Sequence, residues 1–140
     1  MSLITPKIAK LLNEKNFASF ATTMPDGSPQ VSPVWVDYDG GLILINTAKG
    51  RIKEKNIKNN SKVALSVFDM NNPYEMATIR GTITQQTTEG ADNHIDKMAK
   101  KYLNLEKYPL RNSTETRLIL KINPEKVFYM SIPVNDFLQE

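Results

Sequence analysis

The secondary structure of this chain can be predicted outward from residues 42–53, which read Leu42-Ile43-Leu44-Ile45-Asn46-Thr47-Ala48-Lys49-Gly50-Arg51-Ile52-Lys53. The first six residues are mostly apolar and predict a β-strand that is buried on both faces. Gly50 then permits a tight turn, and cations surround it in a segment with few aliphatic side chains. The stretch therefore predicts a buried strand that leads into a positively charged turn and a basic helix.

Two β-hairpins are predicted around the start of this stretch. Residues 17–24 are rich in β-forming side chains, and the turn Pro25-Asp26-Gly27-Ser28 separates them from a second strand at residues 29–38. The tight turn Asp39-Gly40-Gly41 then leads into the strand at residues 42–47. Consecutive antiparallel strands of this kind form a meander.

Helices and further strands are predicted outside the meander. Thr5-Pro6 is an N-cap followed by proline in the first helical position, which predicts a helix over residues 5–15. Apolar side chains recur at helical spacing between Ala91 and Tyr102 and predict an amphipathic helix that starts near residue 88. The remaining strands are predicted at residues 62–68, 74–85, 117–122 and 126–130.

The composition limits the class of protein. The chain has 140 residues, a net charge of +3 and no cysteine. This length suits one domain with its own core, and no linker or repeat divides the chain, so we expect residues 1–140 to form a single, mainly β domain. The sequence shows neither a run of ~18 apolar residues nor a secretory signal, which predicts a cytoplasmic protein that does not enter a membrane.

Few side chains of the sequence suit direct catalysis. The only histidine, His94, is expected to be a solvated residue on the polar flank of the amphipathic helix, and Asp92 and Asp96 are expected on its solvated face. One histidine and no cysteine cannot build a serine triad, a cysteine nucleophile or a histidine-based metal site within one chain. We therefore expect no catalytic side chain and no metal, so that a bound cofactor must supply any reactive atoms.

The basic turn is the first candidate ligand site. Gly50 lets the backbone approach a ligand, and the start of the following helix favours an anion. Lys49, Arg51 and Lys53, together with the Thr47 hydroxyl, suit a phosphate, because arginine offers a planar fork and lysine a point charge. The alternative is a solvated, lysine-rich helix without a ligand.

Trp35 is the second candidate. It lies between Val34 and Val36 on the strand before residues 42–53, so its backbone is expected beside the basic turn. A strand edge there could bind the polar rim of a flat heterocycle, while the alternative is that Trp35 packs in the core or in a dimer interface. Nucleic-acid binding is disfavoured, because no aromatic residues alternate with the cations of the basic segment.

Several blocks of the chain carry a family resemblance. Residues 25–36, 46–53 and 59–65 together resemble the pyridoxamine 5′-phosphate oxidase-related family. Four further blocks resemble the branch of that family that uses the 5-deazaflavin F420: Asn72-Pro73-Tyr74, Ile79-Arg80-Gly81, Gly90-Ala91-Asp92 and residues 95–103.

The resemblance implies a six-stranded split β-barrel with short flanking helices. It also implies a homodimer with two cofactor sites at the subunit interface. The strand that matches Val34, Trp35 and Val36 lines the cofactor ring in that family. The positions that hold the phosphate end match Asn46, Thr47, Lys49, Gly50, Arg51 and Lys53.

The end of the chain departs from the family's best-known activity. Pyridoxamine 5′-phosphate oxidases carry C-terminal arginine and histidine residues that hold the substrate, whereas residues 131–138 contain no cation. Oxidation of pyridoxamine phosphate is therefore not expected. The expected function is hydride transfer between F420 or FMN and a small organic acceptor, and the alternative is a non-catalytic FMN or F420 carrier or a redox sensor.

Overall fold

The structure is a computed structural model that describes residues 3–133, so residues 134–138 of the cation-free tail lie outside the described residues. The elements in chain order are α1 (Pro6–Asn13), β1 (Ala18–Thr23), β2 (Pro29–Val34), β3 (Asp37–Asp39), β4 (Leu42–Ala48), α2 (Ile52–Asn59), β5 (Lys62–Asp69), β6 (Asn72–Thr87), α3 (Ala91–Leu103) and β7 (Arg117–Ser131). The strands form one sheet in the order β2-β1-β5-β6-β7-β4-β3, and the sheet does not close into a full barrel.

The core lies on the inner face of this sheet. Phe20 of β1 pairs with Leu65 of β5, which pairs with Ile79 of β6, and each of these side chains is at most 2% exposed. Ile8 and Leu12 of α1 pack against the same cluster. Burial of an aliphatic or aromatic side chain of this size stabilises a fold by roughly 1.5–3 kcal/mol, so this row contributes substantially to stability.

The mainly β, split-barrel class is confirmed, with one more strand than the family resemblance implies. The described residues contain seven strands: the predicted strand at residues 29–38 is divided into β2 and β3, whereas the two strands predicted at residues 117–122 and 126–130 form the single strand β7. Between β2 and β3, the Val36 N–H binds the Tyr102 hydroxyl and the Val36 carbonyl accepts from Lys101 Nζ. These side chains of α3 replace the neighbouring strand as hydrogen-bond partners and so interrupt the ladder.

The prediction of two short strands at residues 117–122 and 126–130 was wrong. In the structure β7 continues through Pro124, which lies opposite Gly81 of β6 where the register shifts. Proline lacks an N–H and is tolerated at such an irregularity. A Cβ on Gly81 would lie 3.1 Å from the carbonyl carbon of Asn123 and still closer to its oxygen, so glycine lets the two backbones approach there.

Helix α3 covers the part of the sheet that β4 and β7 form. It contacts β4 and β7, and its buried face includes Ile95, Met98 and Tyr102. Its observed start at Ala91 agrees with the predicted amphipathic helix. None of the helices within residues 3–133 combines the length and apolar character that a bilayer span requires.

Candidate functional site

A cavity of about 410 Å³ opens where β4, β7, α2 and α3 meet. This volume falls within the range of roughly 300–1,000 Å³ that is typical of ligand pockets. Three of the nine predicted site residues, Val36, Lys49 and Gly50, do not line the cavity. The other six do: Val34, Trp35, Asn46, Thr47, Arg51 and Lys53.

One side of the cavity carries three cations, Arg51, Lys53 and Arg117. Partial burial, and then the neighbouring charges of Arg51 and Arg117, lower the pKa of Lys53. Thr47 lines the same cavity, and its buried hydroxyl has no hydrogen-bond partner among residues 3–133. A buried polar group without a partner costs about 1–3 kcal/mol, so this hydroxyl marks a position where a ligand atom would be stabilising.

A carboxylate bridges the two arginines. Glu115 Oε1 accepts a hydrogen bond from Arg51 Nη2 at 2.8 Å, and Glu115 Oε2 accepts one from Arg117 Nη1 at 3.1 Å. The hydrogen bond from Arg51, with a further contribution from Arg117, holds the pKa of Glu115 below its usual value despite partial burial. Lys53 forms no ion pair within the described part of the chain, so this corner retains an excess of positive charge.

The basic turn uses its backbone donors within the protein. Gly50 has φ +91°, a conformation that favours glycine, and its N–H donates to Glu54 Oε1 at 2.8 Å. The Lys49 N–H donates to the Thr116 carbonyl at 2.9 Å. Glu54 is 1% exposed and pairs with Lys58 at 2.8 Å. The turn therefore presents the side chains of Arg51 and Lys53 to the cavity rather than these two N–H groups.

Aromatic residues form another wall of the cavity. The half-buried Trp35 ring stacks on Tyr102 at 5.1 Å between centroids and meets the edge of Tyr108 at 6.0 Å. Burial is the main cause that raises the pKa of Tyr102 to about 12, and its hydroxyl donates to the Asn16 carbonyl at 2.6 Å. Burial likewise lowers the pKa of Lys101 to about 8. Because the Tyr102 hydroxyl is held by its hydrogen bond to the Asn16 carbonyl, the Trp35 ring that stacks on Tyr102 supplies a fixed, flat apolar surface beside the three cations of the cavity.

The prediction that His94 is a solvated residue was wrong. Its side chain is 7% exposed, its Nε2 lies 3.1 Å from Asp37 Oδ2, and its Nδ1 lies 3.1 Å from Asn46 Nδ2. Burial raises the pKa of Asp37, but hydrogen bonds from His94 and Lys97 outweigh it and bring the pKa down to about 2. His94 thus belongs to the buried face of α3, next to an ionised carboxylate.

Asp96 also departs from the solvated face that was predicted for it, whereas Asp92 is exposed as expected. Asp96 accepts a hydrogen bond from the Tyr108 N–H at 2.8 Å and pairs with Arg111 at 2.7 Å. These contacts hold the loop between α3 and β7 against the helix. Because Tyr108 and Leu110 of that loop line the cavity, Asp96 helps to shape one of its walls.

Sequence reasoning missed Arg117, Tyr108 and Ile95 as cavity residues. Arg117 begins β7 and pairs with Ala48 of β4, which places it beside Thr47. Ala48 and Arg117 lie about 70 residues apart in the chain, and hydrophobic periodicity does not indicate which strands pair. His94 did leave a signal, because it follows Ala91 by three residues and precedes Met98 by four, which is the spacing of the buried face.

Comparison with known proteins places this geometry in a family context. A protein-family model described as pyridoxamine 5′-phosphate oxidase matches residues 4–131. A solved structure titled F420 Reductase has a TM-score of 0.77 and 28% identity, with coverage of 85% of this chain and 94% of the other. No match was found among curated proteins.

Two further solved structures share the fold at lower identity. HupZ from Group A Streptococcus has a TM-score of 0.66 at 22% identity, with coverage of 91% of this chain and 94% of its own. A conserved hypothetical protein from Mycobacterium tuberculosis has a TM-score of 0.68 at 17% identity, with coverage of 97% and 94%. At these identities the likeness concerns the fold alone.

Proposed function

Because the chain belongs to the pyridoxamine 5′-phosphate oxidase family, we propose that its cavity binds a flavin-type cofactor, F420 or FMN. The reaction we propose is hydride transfer between that cofactor and a small organic acceptor. The likeness to the structure titled F420 Reductase supports the deazaflavin as the first choice.

The observation that carries the proposal is the unpartnered, buried Thr47 hydroxyl in a cavity that Arg51, Lys53 and Arg117 also line. A phosphate has several strong acceptor oxygens, so it can bind a hydroxyl, an arginine fork and an ammonium group at once. A bound anion would also offset the repulsion among the three cations. The donors that are present therefore fit the phosphate end of such a cofactor.

The remaining cavity residues suit the ring end of the cofactor. Trp35, Ile95 and Leu110 provide apolar surface that can contact a flat ring and exclude water. When bound, the cofactor would supply the ring that gives or takes the hydride. The protein's own part is to bind the cofactor, to orient it towards the acceptor and to keep water away from the reacting atoms.

A second cavity favours an enzyme over a carrier or a redox sensor. This cavity has a volume of about 150 Å³ and shares Ile95, Tyr108 and Arg117 with the larger one. An enzyme needs space for an acceptor next to its cofactor, whereas a carrier can cover the cofactor completely. The adjoining cavity supplies that space, and its walls carry two arginines and two carboxylates, which favour a polar acceptor: Arg111, Arg117, Asp92 and Glu115.

The test is to titrate the purified protein with F420 and with FMN by isothermal titration calorimetry, at low and at high salt. We expect F420 to bind more tightly, because its lactyl-oligoglutamate tail adds carboxylates and the exposed Lys49 and Lys55 can attract them. Charges near the surface are screened over about 10 Å at 0.1 M ionic strength, so F420 binding should weaken more steeply with salt.

Two results would count against this assignment. Equal affinities and equal salt dependence for both ligands would show that the tail is not recognised, which favours the FMN carrier. Binding of neither ligand would overturn the proposed function itself.

A further inference from the structure

A continuous series of hydrogen bonds runs from the cavity into the protein behind it. Arg117 Nε donates to Asn46 Oδ1 at 2.9 Å. Asn46 Nδ2 donates to the Ala91 carbonyl at 2.9 Å and lies 3.1 Å from His94 Nδ1. His94 Nε2 lies 3.1 Å from Asp37 Oδ2. The series joins β7, β4, α3 and β3.

The partners at both ends of the Asn46 amide fix its orientation. The Ala91 carbonyl can only accept and Arg117 Nε can only donate, so Asn46 Nδ2 faces Ala91 and Oδ1 faces Arg117. The second proton of Nδ2 then points to His94 Nδ1, which must accept it. The ring proton is left on Nε2 and is donated to Asp37. One tautomer of His94 satisfies every member of the series.

The orientation of the Asn46 amide affects the cavity because Asn46 Oδ1 accepts a hydrogen bond from the charged Arg117 side chain. The Arg117 side chain is only 7% exposed, and Arg117 contributes to the positive surroundings of Lys53. Its guanidinium lies over the Tyr108 ring at 5.3 Å and is held by Asn46 and by Glu115. These contacts use two of its five N–H donors and leave others for an anion. A guanidinium among like charges stays in one position only if its acceptors are fixed.

We propose that His94 is a positioning residue that holds the Asn46 amide, and through it the Arg117 guanidinium, in place for the anionic end of the ligand. Asp37 orients the His94 ring, and Lys97 completes the partners of Asp37 at 3.2 Å. The inference rests on the proposed function for the identity of the ligand. The positioning of Arg117 itself can be measured without any ligand.

Two amide variants distinguish the contact that His94 Nδ1 makes with Asn46 from the contact that His94 Nε2 makes with Asp37. His94→Asn keeps an acceptor near the position of Nδ1, whereas His94→Gln keeps a donor near the position of Nε2 and loses the contact with Asn46. Using whichever of F420 and FMN the wild type binds more tightly, we expect His94→Gln to raise Kd about three- to tenfold. We expect His94→Asn to raise it by less than about twofold, and equal losses would overturn the proposal.

A double-mutant cycle tests whether His94 acts through Arg117. In an Arg117→Ala background we expect His94→Gln to cause no further loss of binding. In a Lys53→Ala background we expect the two losses to multiply, because Lys53 does not take part in the hydrogen-bond series. Additive effects with Arg117→Ala would show a merely structural role. If His94→Gln fails to fold, as thermal unfolding would reveal, His94→Leu, which removes the ring nitrogens and keeps a buried side chain, takes its place in the cycle.

An NMR measurement on the ligand-free protein separates this inference from the proposed function. The Nε–H signal of Arg117, identified by its loss in Arg117→Ala, should exchange slowly with water in the wild type and at least about tenfold faster in His94→Gln, because its buried acceptor is no longer held. Unchanged exchange overturns the positioning role even if a cofactor binds. Faster exchange in a protein that binds neither cofactor supports the positioning role and overturns only the proposed function.

Discussion

Lys53 is the cation of the cavity that forms no ion pair within residues 3–133. We therefore expect Lys53→Ala to weaken cofactor binding by roughly 1–3 kcal/mol without loss of the fold, as for the removal of one charge-assisted hydrogen bond. The measurement is calorimetric titration, with thermal unfolding as a check on the fold.

Lys55→Ala, with both variants titrated with FMN, which lacks the carboxylate tail of F420, is the matched control for Lys53→Ala. Lys55 is exposed on the same helix, whereas Lys58 is unsuitable because it pairs with the buried Glu54. Equal losses for Lys53→Ala and Lys55→Ala would mean that diffuse positive charge, and not a defined site, attracts the ligand.

Asp37 should make stability depend on pH at the acid end. Its pKa is about 2 in the folded protein against an ordinary value of 3.8, so its ionised form stabilises the fold above pH 4. That contribution, about 2 kcal/mol, is lost as pH falls from 4 towards 2. Urea unfolding between pH 5 and 2.5 should show a steeper decline for the wild type than for Asp37→Asn. Parallel curves would contradict the depressed pKa.

At the scale of single residues, the sequence around β4 and α2 predicted two of the cations that line the cavity, Arg51 and Lys53, but not the third, Arg117. Arg51 and Lys53 follow a strand and a glycine, a pattern that is visible within eight residues. Arg117 joins them only through the pairing of β4 with β7, and Asp37 meets His94 only because α3 packs on the sheet. Such contacts depend on tertiary packing, which a single sequence does not encode locally.

At the scale of elements, the close approach of the paired strands β6 and β7 at Gly81 should be sensitive to one added methyl group. A Cβ at this position would meet the Asn123 backbone, which cannot move aside as a flexible side chain would. We expect Gly81→Ala to destabilise the protein by about 1–3 kcal/mol, measured by urea unfolding. Gln86→Ala, at an exposed position of the same strand, should change stability by less than about 0.5 kcal/mol, and equal effects would contradict the packing argument.

Element type was predicted more successfully than element continuity. Hydrophobic period and turn residues predicted the helices and the hairpins, because those signals are local. The break at Trp35 and Val36 was missed because it depends on Tyr102 and Lys101 of α3, more than 60 residues away. Pro124 predicted a break between two strands, but β7 continues through it because the irregular pairing with β6 at this point tolerates a residue without an N–H.

At the scale of the whole molecule, the outer face of the sheet exposes an apolar patch. Phe68 pairs with Met76 and Met76 with Met130, so these three side chains share one face, and Phe128 lies two residues from Met130 on the same face. Phe68 is 45% exposed and Phe128 is 60% exposed. A contiguous apolar face of this kind is typical of an interaction surface, and we expect a second copy of this chain to cover it.

Sedimentation velocity at micromolar concentration tests the homodimer. We expect the wild type to sediment as a dimer and Phe128→Arg to shift it towards monomer, because an arginine would bury an unpaired charge in the interface. Leu3→Arg, at an exposed apolar position that belongs neither to the patch nor to the cavity, is the control and should leave the dimer intact. A wild-type monomer would remove the proposed interface.

The aromatic wall of the cavity gives the protein a built-in optical probe. The chain contains a single tryptophan, and that residue lines the cavity while it stacks on Tyr102. All indole emission from this protein therefore originates at the wall of the cavity that we propose as the cofactor site. A bound flavin or deazaflavin absorbs light at wavelengths where indole emits, so resonance energy transfer should extinguish that emission as the site fills. The arrival and departure of the cofactor can then be timed in stopped-flow experiments on the unlabelled chain.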